Sequence, residues 1–222
     1  MSGTVQFVAT TLPFLWQGLL VTLGVSAAVV VISLVTGGLA GVGLAYGPWW
    51  VRLPLRAFSD TLRGTPLLVV IFTIYYLLPF VGLNMQPLPS VVLALVAFKT
   101  AHVGEITRGA IQSISPGQSD AAKAIGLSFR QGLAWVFLPE AVRRVVPPWS
   151  LSVTGTVQGV KGSALVSLVG IVDLMLAAQQ VIGRTYEPMP VYLLAAAMYF
   201  VINYALSTTS RRLETRFAYI RE

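Results

Sequence analysis

Cysteine is absent and histidine occurs once, at His102. Disulfides and thiolate-held metals are thereby excluded, and no metal-ligand cluster of the usual kind is available. Charge is scarce too: only 10% of the 222 residues are Asp, Glu, Lys or Arg, against about 25% in an ordinary soluble domain. The scarcity is uneven. Met1 to Val51 carries no charge at all, nor does Gly64 to Phe98, nor Pro188 to Ser210. Each stretch exceeds the roughly 20 residues that a helix needs to cross a bilayer. A nucleotide-cradling G-x-x-x-x-G-K-[ST] loop is also missing, so any ATP chemistry belongs to another chain.

What is present is oil. Hydrophobic residues make up 55% of the chain and the mean hydropathy is +0.77, the composition of a membrane protein. The first uncharged stretch lacks a basic start, and its apolar part, Leu15 to Tyr46, is longer than the about 7–15 residues of a signal-peptide core. It reads as a retained span. The chain as a whole predicts an all-α, polytopic membrane helix bundle of about five transmembrane helices. They fall near Leu15 to Tyr46, Thr65 to Leu83, Leu88 to Ala110, Ala141 to Val160 and Pro190 to Thr209. Residues 163–183 are apolar enough for a further span, but Gly170 and Asp173 interrupt them and favour a short outer helix.

The positive charges set the orientation. Arg52, Arg56 and Arg63 follow the first span. Arg108, Lys123, Arg130, Arg143 and Arg144 surround the loop between spans three and four, and Arg211, Arg212, Arg216 and Arg221 lie in the tail. With the N-terminus outside and the C-terminus in the cytoplasm, these twelve of the fifteen Lys and Arg residues face inward. The net charge of +7 therefore reports topology, not nucleic-acid binding.

Between spans three and four lies a polar segment with explicit helix signals. Ser115 to Gln118, S-P-G-Q, is a capping box with Pro116 at the first helical position, and Gly126 is suited to the left-handed end of that helix. Ser128 to Gln131, S-F-R-Q, is a second capping box, and Leu138-Pro139 closes the second helix or bends it into the next span. Ala121 and Ala122 give the first helix a narrow face. By these signals alone the segment is either a docking element or an amphipathic linker on the lipid surface.

The spacing narrows this. D-A-A at 120–122, three residues, Gly126, nine residues, Val136, one residue and Leu138-Pro139 resembles the EAA loop of the permease subunits of bacterial ABC importers. Asp120 stands for the usual glutamate and Val136 for isoleucine. "LWQGLLVTLGVSAAVVVISLVTGGLAGVGLA" at 15–45, "LRGTPLLVVIFTIYYLLP" at 62–79 and "GEITRGAIQSISPGQSDAAKAIGLS" at 104–128 look like the polar amino acid uptake branch, which handles histidine, glutamate, glutamine, arginine and opines. "VQGVKGSALVSLVGIVDL" at 157–174 resembles the same family, with Gly162 and Ala164 where Asp and Ser are often seen.

The resemblance implies one importer transmembrane domain over 1–222, with its core at about 15–210, a coupling loop at 115–139 and a cytoplasmic tail at 211–222. It implies that Asp120, Ala121, Ala122, Gly126, Leu138 and Pro139 couple to a cytoplasmic ATPase dimer, which binds ATP and Mg. Further partners are an external amino-acid-binding protein and a second permease subunit, identical or similar, in a bacterial cytoplasmic membrane. The implied function is that of a transport subunit with no catalytic residue, cofactor or metal of its own. A stand-alone secondary carrier or channel is the alternative; the repeated halves with matching broken spans that many carriers show are not found.

Ionisable residues inside spans are expensive and mark pathways or internal networks. Lys99, His102 and Glu105 recur at three-residue steps, with Arg108 continuing them, so they share a helix surface that drifts slowly around the axis. They are candidates for meeting the α-amino and α-carboxylate groups of a solute, or for satisfying one another. Gln158, Lys161 and Ser163 form a second candidate set. Asn203 is expected to bond between helices, and Gly37, Gly41, Gly43 and Gly47, at small-xxx-small spacing, to pack helices closely within the subunit.

Overall fold

A computed structural model describes residues 2–132, 135–136, 138–161 and 169–218. These residues form helices and turns without a strand. The helices are α1 (Ser2–Tyr46), α2 (Trp49–Gly64), α3 (Leu67–Leu77) with a 3₁₀ turn (Leu78–Val81), α4 (Pro87–Gln112), α5 (Pro116–Ala124), α6 (Phe129–Gly132), α7 (Leu138–Lys161), α8 (Leu174–Thr185) and α9 (Pro188–Ala218).

Among the described residues, three helices are long and apolar enough to cross a membrane: Gln6–Tyr46, Pro87–Gln112 and Pro188–Arg212. Trp49–Gly64 and Leu67–Val81 reach the same standard only as a pair broken at Thr65-Pro66. The expected fourth span is the 24-residue α7. It is about 36 Å long at 1.5 Å per residue, yet Glu140, Arg143, Arg144 and its Ser and Thr residues keep it from that apolar set. Val145 and Ser150 are buried, whereas Val142 and Leu151 are 46% and 64% exposed, so the described part of α7 turns only some of its surface to other helices, where polar side chains find partners. Of 163–183, residues 169–183 are described: a turn and three further residues lead into α8, whose 12 residues reach about 18 Å, less than the ~30 Å hydrocarbon core.

Two compact units are discernible, each assembled from three stretches of chain. The first comprises residues 1–31, 67–96 and 154–208, the second 32–66, 97–153 and 209–222.

In the first unit, Leu15 and Leu19 of α1 pack with Leu174, Ala177, Ala178 and Val181 of α8 and with Val191 and Ala195 of α9. Gly18 makes this possible, because a Cβ there would lie 2.7 Å from the Asp173 carbonyl oxygen and 2.8 Å from Ala177 Cβ. Beside it Thr22 accepts the Leu174 N–H at 3.1 Å and donates to the Gly18 carbonyl at 3.0 Å. Asp173, which in the sequence reads as an interruption, is buried at 1% exposure. It caps α8 by accepting the Leu176 N–H at 2.8 Å, filling one of the four donors a helix start leaves open. Asn203 departs from expectation: its Nδ2 donates to the Tyr199 carbonyl at 2.6 Å, one turn back on its own helix, an accessible partner for a short amide.

In the second unit α1 crosses α4 through glycines. A Cβ on Gly37 would lie 2.6 Å from Val103 Cβ, and one on Gly41 would overlap Thr107 and approach the Gly104 carbonyl oxygen to 2.6 Å. The close approach brings Thr36 and Thr100 within 2.6 Å. α7 joins the pair where Trp149 Nε1 donates to Thr107 Oγ1 at 3.0 Å, its ring lying over Gly38. Glycine spacing thus serves packing inside the subunit, as expected. The outward face of α1 in this unit stays apolar, with Val35 60% and Leu39 70% exposed, a surface that water disfavours and lipid does not.

Gly41→Ala is expected to lower the thermal midpoint of the purified chain in detergent. The added methyl strikes α4, an overpacking cost of about 1–3 kcal/mol. Gly24→Ala, where nothing lies within 4 Å, should leave the midpoint unchanged or slightly raised. Equal midpoints for the two variants would refute the crossing.

Candidate functional site

The polar segment between α4 and α7 is held by hydrogen bonds at both ends of α5 and at the start of α6. Ser115 caps α5 by accepting the Gly117 N–H at 3.3 Å, while its carbonyl accepts Gln118 N–H at 3.1 Å. The other end closes as a Schellman motif. The Gly126 N–H donates to the Lys123 carbonyl at 2.9 Å and the Leu127 N–H to the Ala122 carbonyl at 3.1 Å. Gly126 sits at φ +76°, a left-handed conformation that glycine adopts without a Cβ clash. α6 starts from the reciprocal capping box that the sequence predicts: the Gln131 side chain accepts the Ser128 N–H at 2.9 Å, and Ser128 Oγ accepts the Gln131 N–H at 3.4 Å. α6 is a single turn, and Pro139 falls in the first turn of α7, where its missing N–H costs no bond.

A staple closes the base of this segment. Arg144 Nη1 donates to the Ser113 carbonyl at 2.6 Å and to Ser113 Oγ at 3.2 Å, and Arg144 Nε donates to Glu140 at 2.7 Å. The guanidinium therefore ties the end of α4 to the start of α7, and the loop projects from a closed base. The Glu140/Arg144 spacing of four hints at an ion pair on one helix; the carbonyl 31 residues away has no sequence signal.

The projecting surface differs in one respect from expectation. Asp120, Ala121, Lys123 and Ala124 are exposed, but Ala122 is only 5% exposed and faces the chain itself. A step of one residue turns a helix by about 100°, so the two alanines cannot share a narrow outer face. Ile125 is 76% exposed at the tip, an apolar knob beside the Asp120–Lys123 pair at 3.7 Å. That pair is mostly solvated and worth little to stability.

On α4, Lys99, His102, Glu105 and Arg108 are all half-buried. His102 Nδ1 bonds the Phe98 carbonyl at 2.9 Å, and its ring lies 4.5 Å from that of Phe98. Glu105 is engaged by arginines: Arg108 Nη2 at 2.7 Å, Arg108 Nε at 3.0 Å, and Arg63 of α2 at 3.8 Å. Arg108 also donates to Gln112 at 2.6 Å. Arg63, 42 positions before Glu105, has no signal in the sequence that would pair them. Of the second set, Gln158 and Lys161 lie on the last turns of α7 with side chains outside the described residues, and Ser163 is outside them altogether.

The described residues thus form a helical chain with three helices long and apolar enough to cross a membrane and a stapled, capped segment between α4 and α7. Residues 33–219 match the family described as binding-protein-dependent transport system inner membrane component, and the chain belongs to that family. It is 37% identical over 209 residues to the probable glutamine ABC transporter permease protein GlnP of Bacillus subtilis (strain 168), covering 92% of this chain and 94% of that one. It is 33% identical to the glutamine transport system permease protein GlnP of Escherichia coli (strain K12), covering 92% and 93%. With the octopine transport system permease protein OccM of Rhizobium radiobacter it shares 31% identity, covering 90% and 87%. Among solved structures, that of an amino acid ABC transporter with histidines superposes with a TM-score of 0.86 at 28% identity over 94% of this chain and 96% of that chain. An inward-facing MetNI methionine ABC transporter matches at 0.74 and 19% identity over 92% and 96%, a likeness of fold. The chain is thus a permease subunit of the multi-pass inner-membrane type, a transport component and not an enzyme.

Arg144→Ala should open the base of the loop. Hydrogen exchange of the amides from 113 to 125 is expected to quicken about tenfold or more, the loss of a charge-assisted bond worth about 1.5–3 kcal/mol. Arg143→Ala, at an exposed side chain, should leave it unchanged. Equal protection in both variants would show that the staple does not hold the loop.

Proposed function

We propose that this chain forms, with a second permease subunit, the translocation pathway of an ATP-driven uptake system for a polar amino acid or opine, and that α5 is its coupling helix. The observation that carries this is a helical tip, Asp120 to Gly126, exposed except at Ala122, closed by the Schellman turn and mounted on the Arg144 staple. A coupling element must transmit displacement without absorbing it, and a helix capped at both ends does so. The sequence likeness to glutamine and octopine permeases supports the solute class.

In this reading the loop faces the cytoplasm, the N-terminus lies outside and five helices cross the membrane. Asp120, Ala121, Ala122, Gly126, Leu138 and Pro139 shape the contact with an ATPase dimer, in which ATP and Mg are bound. An external binding protein delivers the solute. ATP then shifts the permease only insofar as the docked ATPase binds α5 differently in its open and closed forms, since a ligand moves an equilibrium by differential affinity alone. Of the pathway candidates, Glu105 is held by Arg63 and Arg108 and serves as a bridge between α2 and α4. Lys99 and His102, on the same helix surface, remain the groups proposed to meet the solute, with Gln158, Lys161 and Ser163 as the second set.

Because Ala121 and Ile125 are exposed while Ala122 is buried, Ala121→Trp and Ile125→Asp are the informative variants. Both should insert normally, yet lose most solute uptake in vesicles carrying the ATPase and binding protein, with solute-stimulated ATP hydrolysis falling in parallel. Uptake at the level of the unaltered chain in both variants would remove α5 from the coupling role.

A further inference from the structure

We propose that α2 lies at the membrane surface and that Arg52 and Arg56 bind the headgroup of an anionic phospholipid. α2 follows the first span after only Gly47 and Pro48, and carries Arg52, Arg56, Asp60 and Arg63 in 16 residues. Four ionised groups are each costly in hydrocarbon, so the helix does not lie within it. Bulk water suits it no better. Trp49 is 72% exposed, Trp50 64% and Leu53 64%, a cluster of large apolar groups that a soluble surface rarely shows. The bilayer interface satisfies both halves, and tryptophan is the residue enriched there.

The arrangement around the helix is sided. At about 100° per residue, Val51, Leu55, Phe58 and Leu62 fall in one sector, and Leu55 packs at Gly43 of α1, where a Cβ would lie 2.8 Å from Leu55 Cδ1. Arg52 and Arg56, one turn apart, fall in another sector next to Trp49 and Leu53. These four side chains, with Leu44 and Gln112, line a cleft of about 300 Å³. No acidic side chain among the described residues lines it. Among the described residues neither arginine is in an ion pair, whereas Arg63 is held by Glu105 at 3.8 Å. The acid on α2 is Asp60, which leaves the helix with a net charge of +2, three arginines against one carboxylate. Two guanidinium groups and the Gln112 amide supply the donors a phosphodiester needs. The flanking tryptophans and Leu53 meet the glycerol backbone and upper acyl chains. A soluble anion would use the arginines alone; the exposed apolar groups beside them are what commit the site to a lipid.

The test is lipid binding by the full-length chain in detergent, read by native mass spectrometry during titration with phosphatidylglycerol or phosphatidylcholine. The unaltered chain should retain phosphatidylglycerol preferentially. Arg52→Gln with Arg56→Gln should weaken that retention about 30-fold, from the roughly fivefold that each surface cation contributes. Arg52→Lys with Arg56→Lys should keep most of it. Unchanged phosphatidylglycerol retention in the glutamine variant overturns the proposal. So does displacement of the lipid by an equal concentration of inorganic phosphate, which would make this a free-anion site. Retained lipid preference with lost association of a co-expressed ATPase would assign the arginines to a protein contact and also overturn it. Should the glutamine variant fail to insert, Trp49→Phe with Trp50→Phe in vesicles of lipid brominated near the headgroup gives an independent reading. Fluorescence quenching should fall markedly; unchanged quenching would place α2 away from the interface.

Discussion

In hydrocarbon no water is present to take up a stray main-chain N–H or C=O, so every backbone group must be satisfied within its own segment. From that constraint follow the unbroken helices α1, α4 and α9 and their lengths of 45, 26 and 31 residues. A second consequence is less obvious. Lipid tails are as apolar as leucine, so burying Leu15 or Val103 between helices yields little of the stabilisation that the same burial yields in water. What holds these helices together is contact distance. Gly18 at the α1–α8 crossing, and Gly37 and Gly41 at the α1–α4 crossing, bring backbones near enough for dispersion and for hydroxyl bonds such as Thr36–Thr100 at 2.6 Å.

Polar groups inside such a bundle must be closed locally. Thr22, Thr107 and Ser150 each return a bond to a carbonyl three or four residues back. Thr22 and Thr107 also serve a neighbouring helix, receiving Leu174 N–H and Trp149 Nε1 respectively. Glu105 follows the same logic with charge: an isolated carboxylate would be costly, and two arginines neutralise it. Of the two readings that the spacing leaves open for Glu105, a solute contact or an internal network, these contacts are of the second kind and link α2 to α4.

The arginines divide the labour. Arg144 closes the base of the projecting loop, Arg108 and Arg63 neutralise Glu105, and Arg52 and Arg56, in no ion pair among the described residues, lie beside two exposed tryptophans. In a count of positive charges they are equivalent marks of one membrane side. In space each does something different, because a guanidinium's role is set by the acceptor within about 3 Å of it.

Local information in the sequence determined the helices and their ends: uncharged runs, S-F-R-Q at 128–131, Gly126 as the left-handed terminator and the glycine spacing of α1 all depend on residues within a turn or two of one another. Family membership was legible for the same reason, since the D-A-A to Leu138-Pro139 spacing is local. Tertiary structure alone decided which of two adjacent alanines points outward, that Asp173 is a buried helix cap, that Ser150 of α7 is buried, and that Arg63 meets Glu105 and Arg144 meets Ser113. Those pairings join residues 31 to 42 positions apart, and no periodicity encodes them; they exist because glycine crossings set the distances between helices, and the distances select the partners.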